Sequence, residues 1–174
     1  AAVALISAAR SVYIFGQRSS FGIAHTLSYL LHQTPMTARL LDAARGELPD
    51  QLMGIGPGDV FVAISFPRYT RIVVEAMAIA AARKARLIAI TDGPLSPLAA
   101  QADVVLKANC GGSGFANSNV AAIALVNALV AEVAVQNRAR TAEVLAQLEG
   151  ILRKGDVLEF GSDGDPPAGG AGSG

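Results

Sequence analysis

The apolar residues of this chain fall into five short runs typical of buried strands, separated by longer stretches with helical spacing. The run from Val60 to Ser65 is apolar almost throughout, as expected of a strand that helices cover on both faces. The five predicted strands are Ser11–Phe15, MTARLL (36–41), Val60–Ser65, Arg86–Thr91 and DVVLKA (103–108).

Helices are predicted between the strands, where apolar residues recur every three or four positions. The first of them, about Ser20–Gln33, has four apolar residues on one face: Ile23, Leu27, Leu30 and Leu31. The others are a short helix within GELPDQLMGI (46–55), Thr70–Arg83, a long helix or helix pair over about Phe115–Arg153, and the end of a helix in AAVALISAAR (1–10) packed on the sheet. This alternation predicts an α/β fold: a three-layer, doubly wound, five-stranded parallel sheet in the flavodoxin-like order 2-1-3-4-5.

Chain length and C-terminal composition bound the domain organisation. With 174 residues the chain is long enough for one domain with a full core, which we place at residues 1–155. Residues 156–174 are rich in Gly, Pro, Ser and Asp and are predicted to be a disordered tail or linker. Because the sequence does not begin with Met, we expect it to be a fragment or a processed chain.

The charge balance narrows the classes of partner. The 14 Lys and Arg cancel the 14 Asp and Glu, which argues against direct binding of nucleic acid or a membrane surface, since both need a basic excess. The single Cys110 excludes an internal disulfide and fits a reducing, cytoplasmic compartment. The most apolar segment, Val120–Val135, is shorter than the roughly 20 residues of a membrane span and contains Asn127 and Glu132, so a helix in the core or at a subunit interface explains it better.

Several motifs of catalysis and cofactor binding are absent. The segment FGQRSSFG (15–22) lacks the G-x-G-x-x-G spacing of a dinucleotide site, no P-loop sequence occurs, and no cofactor is predicted. His25 and His32 lie on one predicted helix without a third ligand, so no metal site is predicted. Cys110 has no identifiable base beside it, and Glu75 is more typical of a surface charge than of a catalytic group.

Two loops are predicted to form a ligand site. In a sheet of this order, ligands bind beyond the carboxyl ends of the strands, where the first and third strands in sequence lie side by side. The loops GQRSS (16–20) and SFPRYT (65–70) follow those strands, and each leads into a helix N-terminus. Free N–H groups and the helix dipole favour an anion there, so two hydroxyl-bearing loops indicate a site for an anionic group such as phosphate.

On these residues the chain resembles the sugar isomerase (SIS) domain, and more narrowly the C-terminal effector domain of bacterial transcriptional regulators of the RpiR/MurR family. The resemblance runs from about Val12 to Ala134 and is most telling in AISFPRYT (63–70) and VVEAMAIAAARKARLIAITDGPLSPLAAQADVVL (73–106). It implies a dimerising domain that binds a phosphosugar, with DNA contacted through an N-terminal helix-turn-helix domain. The opening decapeptide is too short for that domain, so we expect a chain cut to its effector part.

The first loop keeps part of the family's phosphate-binding motif, which reads like G-x-G-x-S. Gly16 and Ser20 match this motif, whereas Arg18 stands in place of the second glycine. Ser19 joins the predicted ligand-binding residues, although a hydroxyl at either serine also suits a helix cap.

The second loop reads like S-x-S-G-x-T in the family. Ser65 and Thr70 match the first serine and the threonine, while Pro67 replaces the second serine and Arg68 the glycine. Pro67 removes a hydroxyl and a backbone N–H. Arg68 loses the close backbone approach of glycine but adds a guanidinium, which grips phosphate or carboxylate through two donors.

Two interpretations of these altered loops stay open. Either Arg18, Arg68 and Arg71 form a positive patch that grips an anion, or they are solvated or paired with nearby acids and the cleft no longer takes a phosphosugar. The predicted ligand-binding residues are Arg18, Ser19, Ser20, Ser65, Arg68 and Thr70; further candidates around them are Tyr69, Thr91, Asp92, Ser96, Asn117 and Ser118.

Three functions are compatible with the sequence. The chain is an effector-binding and dimerisation domain of an RpiR-type regulator, a phosphosugar (aldose–ketose) isomerase on the same fold, or an oligomerisation domain with a degenerate pocket. Isomerisation needs a base that moves a proton between adjacent carbons, and Glu75 and His25 are the candidates, neither with a recognisable partner. The two altered loops and this lack of an acid–base pair favour the regulator. The apolar segment Val120–Val135 favours a homodimer.

Overall fold

The apolar runs form one parallel sheet in this computed structural model, which describes residues 1–44, 46–111 and 117–155. The strands are β1 (Val12–Gly16), β2 (Ala38–Leu40), β3 (Val60–Ile64), β4 (Arg86–Thr91) and β5 (Val104–Lys107). They lie in the order β2-β1-β3-β4-β5, and every neighbouring pair is parallel. The predicted α/β fold, with its flavodoxin-like order 2-1-3-4-5, is confirmed.

Helices cover both faces of this sheet. They are α1 (Ala2–Ala8), α2 (Phe21–Leu31), α3 (Leu48–Leu52), α4 (Arg71–Ala82), α5 (Val120–Gln136) and α6 (Arg138–Lys154). A one-turn 3₁₀ helix, Arg18–Ser20, precedes α2, which makes α2 shorter than predicted. The C-terminal helical segment is a pair of helices, with α5 and α6 bent by 107° relative to each other.

Alternating side chains of β3 divide the core into two layers. Val60, Val62 and Ile64 face the layer that contains α1, α2 and α5. Phe61 and Ala63 face the layer that contains α3 and α4. All five side chains are buried, so the strand has no polar side and its sequence shows no alternation.

Helix α4 shows how an amphipathic pattern fixes a helix on this sheet. Its buried residues are Val73, Ala76, Met77 and Ala80, which recur at three- and four-residue intervals on one face. Full burial of a side chain the size of Met77 contributes about 1.5–3 kcal/mol. This packing directs the N-terminus of α4 toward the carboxyl ends of the strands, where the candidate site lies.

The two ends of the chain differ in how far they are packed. The opening segment forms α1, which packs against α5 as expected of a helix on the sheet. In α6, all of whose residues are described, Thr141 alone is buried. The predicted tail at 156–174 and the predicted helix start at Phe115 lie outside the described residues, so the domain boundary at 155 stays a prediction.

The length and apolar composition of the C-terminal helices decide whether they could span a bilayer. Within the described ranges no single helix is long and apolar enough to do so, and α5 with α6 meets the length and composition criteria only as a bent pair.

Candidate functional site

A cleft opens beyond the carboxyl ends of β1 and β3, where the strand order reverses. The two strands pair in parallel with Gly16 opposite Ile64, so the loops that follow them begin side by side. The cleft has a volume of about 320 Å³, at the lower end of the range for small-molecule sites. Its lining residues are Gln17, Arg18, Ser19, Ser20, Ser65, Phe66, Pro67, Arg68, Thr70 and Asn117. The structure therefore brings all six predicted ligand-binding residues to one cleft.

Gly16 allows the first loop to turn tightly from strand to helix. A Cβ at this position would lie 2.7 Å from the backbone oxygen of Ser20 and 3.3 Å from the Cβ of Ala24. The loop then places Ser20 at the N-cap of α2, but no side-chain cap bond forms there. The helix-capping role considered for Ser19 and Ser20 is thus not observed, and both residues line the cleft instead.

Ser20 is the most deeply buried polar group of this loop. The residue is only 4 % exposed, and its hydroxyl forms no hydrogen bond with any residue that the structure describes. Among those residues no fully buried side-chain oxygen or nitrogen is left unpaired, which means that the Ser20 hydroxyl reaches the cleft. It is therefore available to a ligand.

The second loop is held by hydrogen bonds at its two ends. Ser65 Oγ accepts a bond from the N–H of Thr70 at 3.2 Å, which closes the loop. The buried Thr91 Oγ1 donates to the Ser65 carbonyl at 2.8 Å. Thr70 is the N-cap of α4 and makes no side-chain cap bond. The N–H of Val73 donates to the Thr70 carbonyl, but those of Arg71 and Ile72, the first two of this twelve-residue helix, remain free for an anion.

Arg18 and Arg68 both adopt the left-handed backbone conformation, with φ values of 56° and 66°. These are the two positions at which the resembled motifs carry glycine, the residue that reaches this conformation without strain. Both loops thus keep a glycine-like backbone while presenting an arginine side chain.

The charges in the cleft are unbalanced. Its described lining contains two arginines and no acidic residue. Neither Arg18 nor Arg68 forms an ion pair with any described residue. Arg71 differs, because its Nε lies 2.6 Å from Oε1 of Glu75 on the exposed face of α4. Of the two interpretations left open by the sequence, pairing with a nearby acid therefore holds for Arg71, which lies outside the lining.

Side chains behind the second loop support it. Tyr69 Oη donates to Asp92 Oδ1 at 2.8 Å, and burial together with this hydrogen bond raises the pKa of Tyr69. Thr91 Oγ1 lies 2.8 Å from Ser96 Oγ, and both hydroxyls are buried. Tyr69, Thr91, Asp92 and Ser96, which were candidates for the cleft, lie outside its lining and act as a support for the loop.

Two asparagines before α5 tie this segment to both loops. Asn117 Nδ2 donates to the carbonyl of Pro67 at 3.3 Å, and Asn119 Nδ2 donates to the carbonyl of Ser19 at 3.1 Å. Asn117 also lines the cleft, as the sequence had suggested, whereas Ser118 accepts a weak bond from the N–H of Val120 at 3.4 Å. The sequence did not predict the role of Asn119, because its partner is 100 residues away and no local pattern marks the contact.

The candidates for catalysis and metal binding lie away from the cleft. Burial, with a contribution from the charge of Asp92, raises the pKa of the Cys110 thiol, which weakens it as a nucleophile. Glu75 is engaged by Arg71. His25 on α2 and His32, which directly follows that helix, are both exposed and lie outside the lining. In the described ranges no group of three or more His, Cys, Asp or Glu is arranged to hold a metal ion.

The chain is similar to a known protein family and to many solved structures. A family model described as the SIS domain matches residues 5–132. No curated protein matches significantly. Among solved structures, 95 chains match.

Three of these structures illustrate the range of similarity. The sugar isomerase domain of an RpiR transcription factor from Sphaerobacter thermophilus is 35% identical, with a TM-score of 0.82, over 86% of this chain and 83% of that chain. The Vibrio vulnificus NanR protein complexed with ManNAc-6P is 20% identical, with a TM-score of 0.76, over 91% of this chain and 60% of that chain. A Methanococcus jannaschii protein with an inferred function of 3-hexulose-6-phosphate isomerase is 15% identical, with a TM-score of 0.68, over 83% of this chain and 80% of that chain. At these identities the last two show a shared fold alone.

Proposed function

This chain belongs to the SIS domain family, and on that premise we propose that it is the effector-binding and dimerisation domain of an RpiR-type transcriptional regulator. Its ligand is a phosphosugar or a related anionic carbohydrate derivative. DNA binding is assigned to a separate N-terminal helix-turn-helix module of such a regulator. The structural neighbours of this SIS domain include domains of two regulators.

The observation that carries the proposal is the chemistry of the cleft. Ser20, Ser65 and Thr70 present hydroxyls beside the free N-terminus of α4, and Arg18 and Arg68 add two positive charges without an acidic partner in the described lining. Such a site binds an anion through hydrogen bonds, the helix dipole and guanidinium groups together. The V. vulnificus structure, in which NanR holds ManNAc-6P, supports a ligand of this class.

The isomerase is the alternative function, and the M. jannaschii protein shows that the fold is shared with a protein for which that activity is inferred. An isomerase needs a general base within hydrogen-bond reach of the carbon acid. Neither of the two candidates meets this condition, because Glu75 is paired with Arg71 and His25 lies outside the described lining. We therefore favour a binding domain without catalysis.

Calorimetric titration with a panel of phosphosugars tests the proposal. We expect at least one compound to bind saturably, with affinity that falls as salt screens the arginines. Ser65→Ala and Arg68→Ala should weaken this binding, and the loss of Arg68 should reduce affinity by about tenfold or more. Lys84→Gln, which removes an exposed positive charge at the far end of α4, is the matched control.

The outcomes separate the three functions. If none of the compounds binds, the effector-binding function is contradicted and an oligomerisation domain with a degenerate pocket remains. Incubation of the bound aldose phosphate with the protein in deuterated water distinguishes an effector-binding domain from an isomerase, because isomerisation exchanges the proton at C2. Deuterium at C2, detected by NMR, would establish the isomerase.

Dimerisation is the second part of the proposal, and the exposed apolar side chains of α6 support that helix, rather than α5, as its location. Helix α5 uses much of its apolar surface in its own core, where Val126, Leu129 and Val133 are buried. Helix α6 instead leaves Leu145 44% and Ile151 66% exposed. We assign these two exposed apolar side chains of α6 to contact with a second copy of the chain.

Analytical ultracentrifugation checks this assignment. The unaltered chain should sediment as a dimer at micromolar concentration, and Leu145→Glu combined with Ile151→Glu should give a monomer. Gln147→Glu, an exposed position on the same helix, is the control for added charge. A monomeric unaltered chain would contradict dimerisation.

A further inference from the structure

Three non-glycine residues in the described part of the chain have a left-handed backbone: Arg18, Arg68 and Lys84, the last with a φ of 63°. A Cβ strains this conformation, so it is retained only where the surrounding structure or a function compensates for it. A glycine would make each of these turns without strain. The question is therefore what the basic side chain contributes at each position.

Lys84 has an ordinary explanation in the end of helix α4. Its N–H donates to the carbonyl of Ala81 at 2.9 Å, and the N–H of Ala85 donates to the carbonyl of Ala80 at 3.1 Å. This pair of bonds is the Schellman motif that ends many helices with a left-handed residue. A positive charge is also favoured there, because the C-terminus is the negative end of the helix dipole.

Arg18 and Arg68 stand in the opposite electrostatic situation. Arg18 lies just before α2 and Arg68 just before α4, at the positive ends of the two helix dipoles. Both line the same small cleft, where the described residues supply no acidic partner. Backbone strain, the dipoles of α2 and α4, and repulsion between the two guanidinium groups all disfavour arginine at these positions. Only a negatively charged ligand offsets the dipoles and the repulsion.

The two arginines belong to different loops, which face each other across the cleft. On the loop before α4, Arg68 is accompanied by Ser65, Thr70 and the free N-terminus of a twelve-residue helix. Those donors suit a phosphate, which has three oxygens to be satisfied. On the other loop, Arg18 is accompanied by the hydroxyl of Ser20, which reaches the cleft and bonds no described residue, a smaller set of donors that suits a carboxylate.

Resting on the function proposed above, we propose that the ligand carries two separate anionic groups: a phosphate at the loop before α4 and a carboxylate at Arg18. The ligand is thus a phosphorylated sugar acid rather than a phosphorylated neutral sugar. Arg18 is the residue that discriminates between the two classes.

Calorimetric titration with matched pairs of compounds tests this inference. Each pair is an aldose 6-phosphate and its 6-phosphoaldonate, for glucose, mannose and galactose, so that the carboxylate is the main difference. We expect the acid of at least one pair to bind about tenfold more tightly than its aldose. In Arg18→Gln this ratio should fall to within about threefold of one. Arg18→Gly, which suits the left-handed backbone, should do the same without a folding defect.

The control and the contrary outcomes separate this inference from the function on which it rests. Lys84→Gln lowers the net charge equally and should leave the ratio unchanged. Equal affinity for the acid and the aldose in every pair would overturn this inference but leave the proposed phosphosugar-binding function intact. A preference for the acid that persists in both Arg18 variants would also overturn it. Binding of neither compound in any pair, nor of any other phosphosugar, would overturn the proposed function as well.

Discussion

The arginines at the two ends of the sheet differ in whether they form ion pairs. At the amino ends of the strands, Arg10 pairs with Asp59 at 2.6 Å and Arg86 pairs with Asp103 at 3.0 Å. At the carboxyl ends, Arg18 and Arg68 line the cleft without an acidic partner among the described residues. The first pair of arginines is satisfied within the chain and serves the fold. The second pair is satisfied by nothing described within the chain, which is the condition of a site prepared for an external anion.

The largest effect expected from this contrast is on stability at the amino end. The Asp59 side chain is fully buried and accepts bonds from Arg10 Nε at 3.0 Å and from the N–H of Gly56 at 2.9 Å. Asp59→Ala should lower the free energy of unfolding by about 2–3 kcal/mol, because it leaves the Gly56 N–H unpaired and opens a small cavity. Arg18→Gln should change it by less than about 0.5 kcal/mol. Urea denaturation measures both, and equal losses would contradict the division of roles.

Acid should erase the stabilisation at the amino end. Burial opposes ionisation of Asp59, but hydrogen bonds from Arg10 and Gly56 outweigh it and hold the pKa below the ordinary value of 3.8. A folded-state pKa below the unfolded value contributes stability above about pH 4, which is lost as the pH falls through the folded-state pKa. The difference in unfolding free energy between the unaltered chain and Asp59→Asn should therefore shrink below pH 4. A difference that stays constant down to pH 2 would contradict this role of the ion pair.

The contrast also explains how much of the molecule could be predicted from sequence. The strands were predictable because a parallel strand covered on both faces is apolar throughout, as Val60–Ile64 is. The bend between α5 and α6 was not, because the sequence around Asn137 contains neither Pro nor Gly to mark it. Packing of α5 on the sheet, which local sequence does not encode, decides where that helix ends.

The site was predictable in position but not in electrostatic detail. The rule for doubly wound sheets located both loops, and Ser65 and Thr70 lie where it placed them. The partner of Arg71 was visible in principle, since Glu75 follows at the i,i+4 spacing of helical ion pairs. The left-handed backbone at Arg68 could not be predicted from an arginine. The one sign of it was that the resembled motif has a glycine at this position.

A smaller effect is expected at the support behind the second loop, which links the structural part of the molecule to the cleft. Tyr69→Phe removes the 2.8 Å bond to Asp92 and should cost about 1 kcal/mol of unfolding free energy. Because this bond helps to hold the loop that carries Arg68, affinity for a bound phosphosugar should also fall, by about threefold. Denaturation and calorimetry on the same variant test the link. A loss of stability with unchanged affinity would show that the loop keeps its shape without Tyr69.

The last effect is of similar size, but it sharpens the comparison most, because the mutation is expected to stabilise the protein rather than destabilise it. Arg68→Gly relieves about 1–2 kcal/mol of backbone strain, loses about 0.5–1 kcal/mol through the greater freedom of the unfolded chain, and removes a cation from the positive end of α4. The ligand-free protein should therefore become more stable, by about 1 kcal/mol.

Lys84→Gly, at the other end of α4, is the matched variant. It relieves the same strain but removes a cation from the negative end of the helix dipole, so its net effect should be close to zero. Saturating phosphosugar should reverse the order of the two variants, because the stabilisation by a ligand grows with the logarithm of its affinity and Arg68→Gly has lost part of that affinity. Thermal unfolding with and without ligand measures this reversal. If Arg68→Gly instead destabilises the ligand-free protein, Arg68 serves the fold, and the carboxyl end of the sheet does not differ from the amino end.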